Sequence, residues 1–233
     1  MSKEIETDIS SDGMLTVDIT GVFNKNFNAR TDEPEIYEYL DAASVAGINV
    51  CLLGPIGVGK TDIIQKYCEA RDINCISVIT SIEPPIPQPG FVAPWVSSLI
   101  NKNDRIVLNL THLTIAKPKI LNTYMGLLTE KSISGRDLSH VQIIAFADTN
   151  MEYIDPDDEF ISAFAFFYCY SGLELDQMED DTTLYRYCED NTDKTRKFFQ
   201  PKDLTPWQKE KLMKLPEKYR DVFYIGYTNR EMR

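Results

Sequence analysis

Ile48-Asn49-Val50-Cys51-Leu52-Leu53-Gly54-Pro55-Ile56-Gly57-Val58-Gly59-Lys60-Thr61-Asp62-Ile63-Ile64 is the stretch from which the rest of the chain is read. Ile48 to Leu53 is a short, mostly apolar run ending at a glycine-rich turn, the pattern of a buried parallel strand. Beyond the turn, Ile63, Ile64, Tyr67 and Cys68 recur at helical spacing. Between them, Gly54, Pro55, Ile56, Gly57, Val58, Gly59, Lys60 and Thr61 satisfy the phosphate-loop pattern G-x-x-x-x-G-K-[ST]. Glycines let the backbone curl so that successive amides point inward, and the following helix adds the positive end of its dipole. Such a concavity fits phosphate oxygens. Lys60 is placed to meet the β- and γ-phosphates of a nucleotide, and the Thr61 hydroxyl to take one Mg²⁺ position. ATP or ADP with Mg²⁺ is therefore the expected ligand.

Upstream, Ile36, Tyr39, Leu40, Ala43 and Ala46 have helical spacing and stop at Gly47, a suitable residue to end a helix. Downstream, Cys75 to Ile79 reads as a strand. Glu83 to Pro94 carries Pro84, Pro85, Pro87, Pro89, Gly90 and Pro94 and must be a loop. Trp95 to Ile100 reads as a helix and Ile106 to Leu110 as a strand. Lys117 to Leu128 is predicted as one helix opened by Pro118, where a missing amide donor costs nothing. Val141 to Ala147 and Phe164 to Tyr170 are two further apolar strands. Strand and helix thus alternate from residue 36 to 170, the signature of a layered α/β domain with a parallel sheet.

The chain has 233 residues, 43% hydrophobic and 26% charged, enough to bury a sizeable core. It shows neither an apolar run long enough for a membrane span nor a secretory leader. Five cysteines, an odd number without a CxxC pair, lie mostly in apolar runs, which points to small buried hydrophobes in a reducing, cytoplasmic setting. A net charge of -12 argues against a main role in binding nucleic acid or anionic lipid. Residues 1–30 read as a polar arm or a small hairpin and 31–172 as the nucleotide-binding core. Residues 173–233, acidic at first and then basic, read as a helical segment in which Thr205 to Arg220 is a helix that Pro216 interrupts.

Asn101-Lys102-Asn103-Asp104 spells the N-K-x-D that reads guanine in GTPases. Here it precedes a strand instead of following one, and no D-x-x-G accompanies it, so it reads as a polar loop.

The order of these pieces resembles the MoxR-like branch of the AAA+ ATPases over residues 35–172. The phosphate loop, the proline-rich loop with Trp95 after it, the strand Ile106 to Leu110 and the run Leu113-Thr114-Ile115-Ala116-Lys117-Pro118-Lys119-Ile120-Leu121 fall where that family has them. So do Leu127-Leu128-Thr129-Glu130-Lys131, the turn at Gly135, and Val141 to Ala147. The resemblance implies a P-loop NTPase three-layer α/β fold with a mainly parallel five-stranded sheet and a small helical tail or reduced lid. It also implies a homo-oligomer, or a complex with a related AAA+ partner, whose nucleotide site is completed by a neighbour.

Departures fall at the hydrolytic positions. The family closes its third strand with an Asp that holds Mg²⁺ through water and a Glu that activates the attacking water; Thr111 and His112 stand there. Its sensor asparagine aligns with Asp148, with Asn150 nearby, and its arginine finger aligns with Ala163. Arg230 is the candidate for its second sensor arginine, and His140 reads as a surface residue. Loss of a general base removes ~10² to 10⁴ in rate, and loss of an arginine finger ~10³ to 10⁵. One expectation is a module that binds ATP but hydrolyses it slowly or not at all, serving a remodelling assembly or a silent regulatory role. Another is an active ATPase in which Asp148, Glu130 or His112 does the hydrolytic work. A small-molecule kinase is disfavoured because no arginine-rich lid appears between residues 120 and 170.

Overall fold

The computed structural model describes residues 16–18, 35–54, 59–100, 104–148, 159–170 and 204–228. Among them, eight strands and eight α-helices follow in the order β1 (Thr16–Asp18), α1 (Glu35–Ala46), β2 (Asn49–Gly54), α2 (Lys60–Ala70), β3 (Asn74–Ile79), α3 (Pro94–Ile100) and β4 (Ile106–Thr111), then α4 (Pro118–Leu121), α5 (Met125–Glu130), β5 (Ser132–Ile133), β6 (Arg136–Asp137), β7 (Val141–Asp148), α6 (Glu159–Ser162), β8 (Phe164–Tyr170), α7 (Pro206–Lys214) and α8 (Glu217–Thr228). The main sheet runs β1-β8-β2-β7-β4-β3 with every pairing parallel. Five of its strands are those expected. The sixth is the short edge strand β1, whose three residues lie in the stretch read as an arm.

Side chains on successive strand residues point to opposite faces, and the apolar residues divide accordingly. Cys51 and Leu53 of β2, Leu108 and Leu110 of β4, and Ile143 and Ala145 of β7 join one core with α3, α4 and α5. Val50 and Leu52 of β2, Val107 of β4, Ile144 of β7 and Phe167 of β8 join a second core with α1, α2, α7 and α8. Both faces of the central strands are thus covered, which is why they read as continuous apolar runs. β3 is the edge opposite β1, and Val78 is its one buried residue.

The predicted helix from Lys117 to Leu128 is broken. After a 3₁₀ turn at Leu113–Ile115, α4 is a single turn, a second 3₁₀ turn spans Asn122–Tyr124, and only then does α5 begin. Each break buries a large side chain, Leu121 before the second turn and Tyr124 within it. Tyr124 stacks on Trp95 with ring centroids 6.2 Å apart, and its hydroxyl donates to the Glu83 carbonyl at 2.5 Å. The proline-rich loop is therefore fastened to this helical layer. The antiparallel pair β5 and β6 around Gly135 was not anticipated as strand.

Thr205 and Gln208 form a reciprocal capping box at the start of α7, and Pro216 separates α7 from α8 as its position foretold. Tyr39 of α1, Phe167 of β8 and Phe223 of α8 pack edge-to-face or stacked at 5.3 to 6.5 Å. The C-terminal helices therefore share the main core.

Candidate functional site

The parallel strands all end on one side, and β2 delivers Gly54 there. Residues 55–58 lie outside the described residues, and with them Pro55, Ile56, Gly57 and Val58. Gly59 takes a left-handed conformation with φ of 92°, which glycine adopts without strain, and stands at the N-cap of α2. The first intrahelical bond runs from the Ile63 amide to the Gly59 carbonyl at 3.0 Å, so the amides of Lys60, Thr61 and Asp62 lie ahead of it at the positive end of the helix. Lys60 is 5% exposed, and its Nζ donates to the Gly54 carbonyl at 2.8 Å. That bond holds the side chain from the head of the helix across to the end of the strand, along the path a β- or γ-phosphate would share. The Thr61 side chain is exposed. These groups fit a phosphate chain; the metal-holding set is thinner, because Thr61 is its one described oxygen donor from the motif.

The other candidate residues reach the same end by the sheet. Asp148, the last residue of β7, is in register with Gly54. β4 flanks β7 on its far side and brings Thr111 to the same edge. The Thr111 hydroxyl donates to the Val78 carbonyl at 3.2 Å and lies 3.0 Å from His112 Nδ1. With the hydroxyl proton used on Val78, the histidine proton sits on Nδ1 and the lone pair on Nε2. His112 is exposed and takes a left-handed conformation with φ of 59°. Asn150 and Arg230 lie outside the described residues, as does the Asn101–Asn103 part of the N-K-x-D stretch.

Ala163 sits elsewhere. It precedes β8 at the strand-start end, 1% exposed within the core, and its carbonyl accepts Asn49 Nδ2 at 3.0 Å. An arginine there has no room for its side chain. Glu130 ends α5 next to the buried Lys131 and takes a 3.3 Å bond from Ser132, also away from the phosphate loop. His140 bonds the Leu99 carbonyl at 3.2 Å, and that pairing, just before β7, makes it a structural contact.

The C-terminal helices approach from the strand-start end. Gln208 donates to the Ser162 carbonyl at 2.8 Å, and a Cβ placed on Gly47 would lie 2.8 Å from Lys211 Nζ. α7 begins below the sheet, and α8 runs along its face beside α1.

Two features near the site escaped sequence reading. Thr80, just after β3, is fully buried with no described partner for Oγ1, and its amide bonds the Thr111 carbonyl at 3.0 Å. Asn109, 2% exposed, donates to Ser77 Oγ at 3.3 Å but has no described partner for Oδ1. Asn109 and Thr61 both line an open groove of about 900 Å³ between α2 and the edge strand β3. The one polar residue in an otherwise apolar strand, Asn109, was the signal available.

At the opposite end a second polar cluster anchors α2. Tyr67 donates to Asp41 at 2.8 Å, Arg71 Nε pairs with Asp41 at 2.9 Å, and Arg105 donates to Tyr67 at 2.5 Å and to Gln142 at 2.8 Å. Gln142 in turn donates to the Leu40 carbonyl at 2.7 Å. Burial first, and the Asp41 carboxylate next, raise the Tyr67 phenol well above its ordinary range.

The strand order, the helices on both faces and the glycine-led α2 make this a P-loop NTPase three-layer fold. None of the described helices is long and apolar enough to cross a membrane. No protein-family model matches the chain, and no curated protein matches it. Among solved structures it is similar to a P216G mutant of RuvB from Thermotoga maritima, with 16% identity, a TM-score of 0.43, and coverage of 60% of this chain and 46% of RuvB. It is also similar to the Holliday junction branch migration motor RuvB of the same organism, with 15% identity, a TM-score of 0.41, and coverage of 58% and 43%. The chain thus spans under half the length of these RuvB structures.

Proposed function

We propose that this chain is an ATP-binding AAA+-like module, of the MoxR-like type, that hydrolyses ATP slowly or not at all. The observation that carries the reading is Lys60, held buried at the head of α2 and bonded across to Gly54 at the end of β2. Nucleotide phosphates are to be held by the amides that open α2, by Lys60 and by the Thr61 hydroxyl, with the remaining loop residues Pro55 to Val58 completing the cradle. Mg²⁺ bound with the nucleotide supplies charge neutralisation for the phosphates, and Thr61 is the residue that would hold it.

Thr111 occupies the place of a carboxylate, and its hydroxyl is already used on Val78. It brings no negative charge to a metal shell. His112, with Nδ1 on Thr111, presents Nε2, and it is the first candidate to accept a proton if turnover occurs. Asp148 beside Gly54 is the second candidate for that role. The buried, small Ala163 supplies nothing to a neighbour, so any assembly of this chain depends on a related active partner for a finger. Such an assembly, as a homo-oligomer or with that partner, is the setting in which a remodelling or regulatory role would operate.

Steady-state turnover tests the silent site. The expected rate lies far below the ~1 per second of ordinary enzymes, with or without Mg²⁺. A brisk turnover that Lys60→Ala abolishes would overturn the silent reading and favour His112 or Asp148 as a working base.

A further inference from the structure

The groove of about 900 Å³ between α2 and β3 runs along the helix from Thr61 at its head to Arg71 and Asp72 at its foot. Its floor holds Asn109, which is 2% exposed, donates to Ser77 Oγ at 3.3 Å and leaves Oδ1 with no partner among the described residues. A buried acceptor in that state costs free energy until a donor meets it. The foot of the groove is acidic. Arg71 and Arg105 line it, but both reach toward the one Asp41 carboxylate, at 2.9 and 3.4 Å. Asp72 and Asp104 line the same end, are exposed and make no ion pair among the described residues. The negative end of the α2 dipole lies there too. Between the two ends, Ile64, Cys68 and Ile73 supply an apolar wall.

We propose that this groove binds a linear aliphatic polyamine, one ammonium donating to Asn109 Oδ1, the methylene chain lying on the apolar wall and the far ammonium held by Asp72 and Asp104. Each part of the ligand answers one feature of the groove. An ammonium is all donor and no acceptor, which is what an orphaned carbonyl oxygen and two carboxylates require. The span fits as well. Asn109 is in register with Ser77, three residues from the start of β3 at Asn74. At ~3.3 Å per residue the orphaned acceptor and the acidic foot are therefore ~10 to 15 Å apart, the reach of an extended chain with several methylenes between its amines.

Other ligand classes fit less well. A single metal ion cannot reach acceptors that far apart, and the described residues hold no cluster of metal-ligating side chains. An anion would meet Asp72 and Asp104 at the foot. The net charge of -12 draws a polycation from a distance and repels an anion. The site is independent of nucleotide binding, because neither Lys60 nor the glycine turn takes part in it.

Isothermal titration of the full chain with spermidine, without nucleotide and in about 0.15 M salt to screen loose attraction to an acidic surface, tests the site. The expected result is saturable binding of one spermidine per chain, with the shorter diamine putrescine weaker by about tenfold or more because it cannot meet both ends. Asp72→Asn combined with Asp104→Asn is expected to weaken spermidine by a similar factor, as is Asn109→Leu, which removes the orphaned acceptor. Glu210→Gln combined with Glu217→Gln removes the same charge from the C-terminal helices and leaves the affinity unchanged. Should Asn109→Leu fail to fold, the comparison of the two acidic pairs decides alone. No saturable binding to the wild type, several spermidines per chain, putrescine as tight as spermidine, or an equal loss in both acidic-pair variants would overturn the proposal.

Discussion

At the residue scale, the phosphate-loop motif and the buried Lys131 illustrate opposite uses of a lysine. Lys60 spans from the head of α2 to the Gly54 carbonyl at the end of β2, whereas Lys131 Nζ is locked to Asn49 Oδ1 beneath the sheet. Burial, with the neighbouring Lys211 charge adding to it, brings the Lys131 amine down from its ordinary 10.5 to about 7. The unfolded chain therefore binds more protons than the folded one between these values. Stability is lowered fully below about pH 7 and recovers as pH rises toward 10.5. Lys131→Met is expected to flatten that rise, measured as the difference in urea midpoints between wild type and variant across pH 7 to ~10. An unchanged slope would mean that Lys131 is not held neutral by the fold. Ala163 yields a second prediction. Installing the missing finger as Ala163→Arg forces a charged side chain into a filled core and is expected to cost about 3 kcal/mol or more. Its readout is a large fall in thermal midpoint with no gain in ATP turnover; a stable, faster variant would show that this position opens to a neighbour.

At the element scale, α2 is fixed at both ends, by the glycine turn at its head and by the Asp41 cluster at its foot. Asp41→Ala leaves Arg71 and Tyr67 without their shared acceptor and is expected to destabilise the fold by about 1 to 3 kcal/mol; equilibrium denaturation measures it, and a change below about 0.5 kcal/mol would show that solvent replaces the carboxylate. Every central strand was legible in the sequence because strands covered on both faces are written as apolar runs, as β2, β4, β7 and β8 are. β1 was not, since three residues within a polar stretch carry no period. The break in the helix after Pro118 was hidden too: Leu121, Tyr124, Leu127 and Leu128 satisfy helical spacing, while the turn between α4 and α5 is imposed by Tyr124 packing on Trp95 and reaching Glu83. Trp95 belongs to that packing, whereas Phe91, 67% exposed, is left on the surface of the proline-rich loop. Within the site, the turn from β2 into α2 was legible from its glycines, with Gly54 ending the strand and Gly59 opening the helix. The orphaned Thr80 Oγ1 was not, because a buried threonine after a strand looks in sequence like any other, and Asn109 showed only as a polar residue within an apolar run.

At the scale of the whole molecule, one sheet brings Gly54, Asp148 and Thr111 to a common edge and leaves Ala163 and the start of α7 at the other. Under the proposed reading the chain keeps the motif that would hold phosphate, while the positions aligned with the family's hydrolytic residues carry a hydroxyl, an imidazole and a methyl group. This division predicts binding without efficient turnover. Thermal unfolding with millimolar ATP and Mg²⁺, for the wild type and Lys60→Ala side by side, tests it most directly. Ligand present at 100 times its Kd adds about 2.7 kcal/mol to the folded state, a rise of several degrees for a chain of this size. The wild type is expected to show that rise and Lys60→Ala to lose most or all of it. A wild-type midpoint that ATP and ADP leave unmoved would contradict nucleotide binding at Gly54 to Thr61.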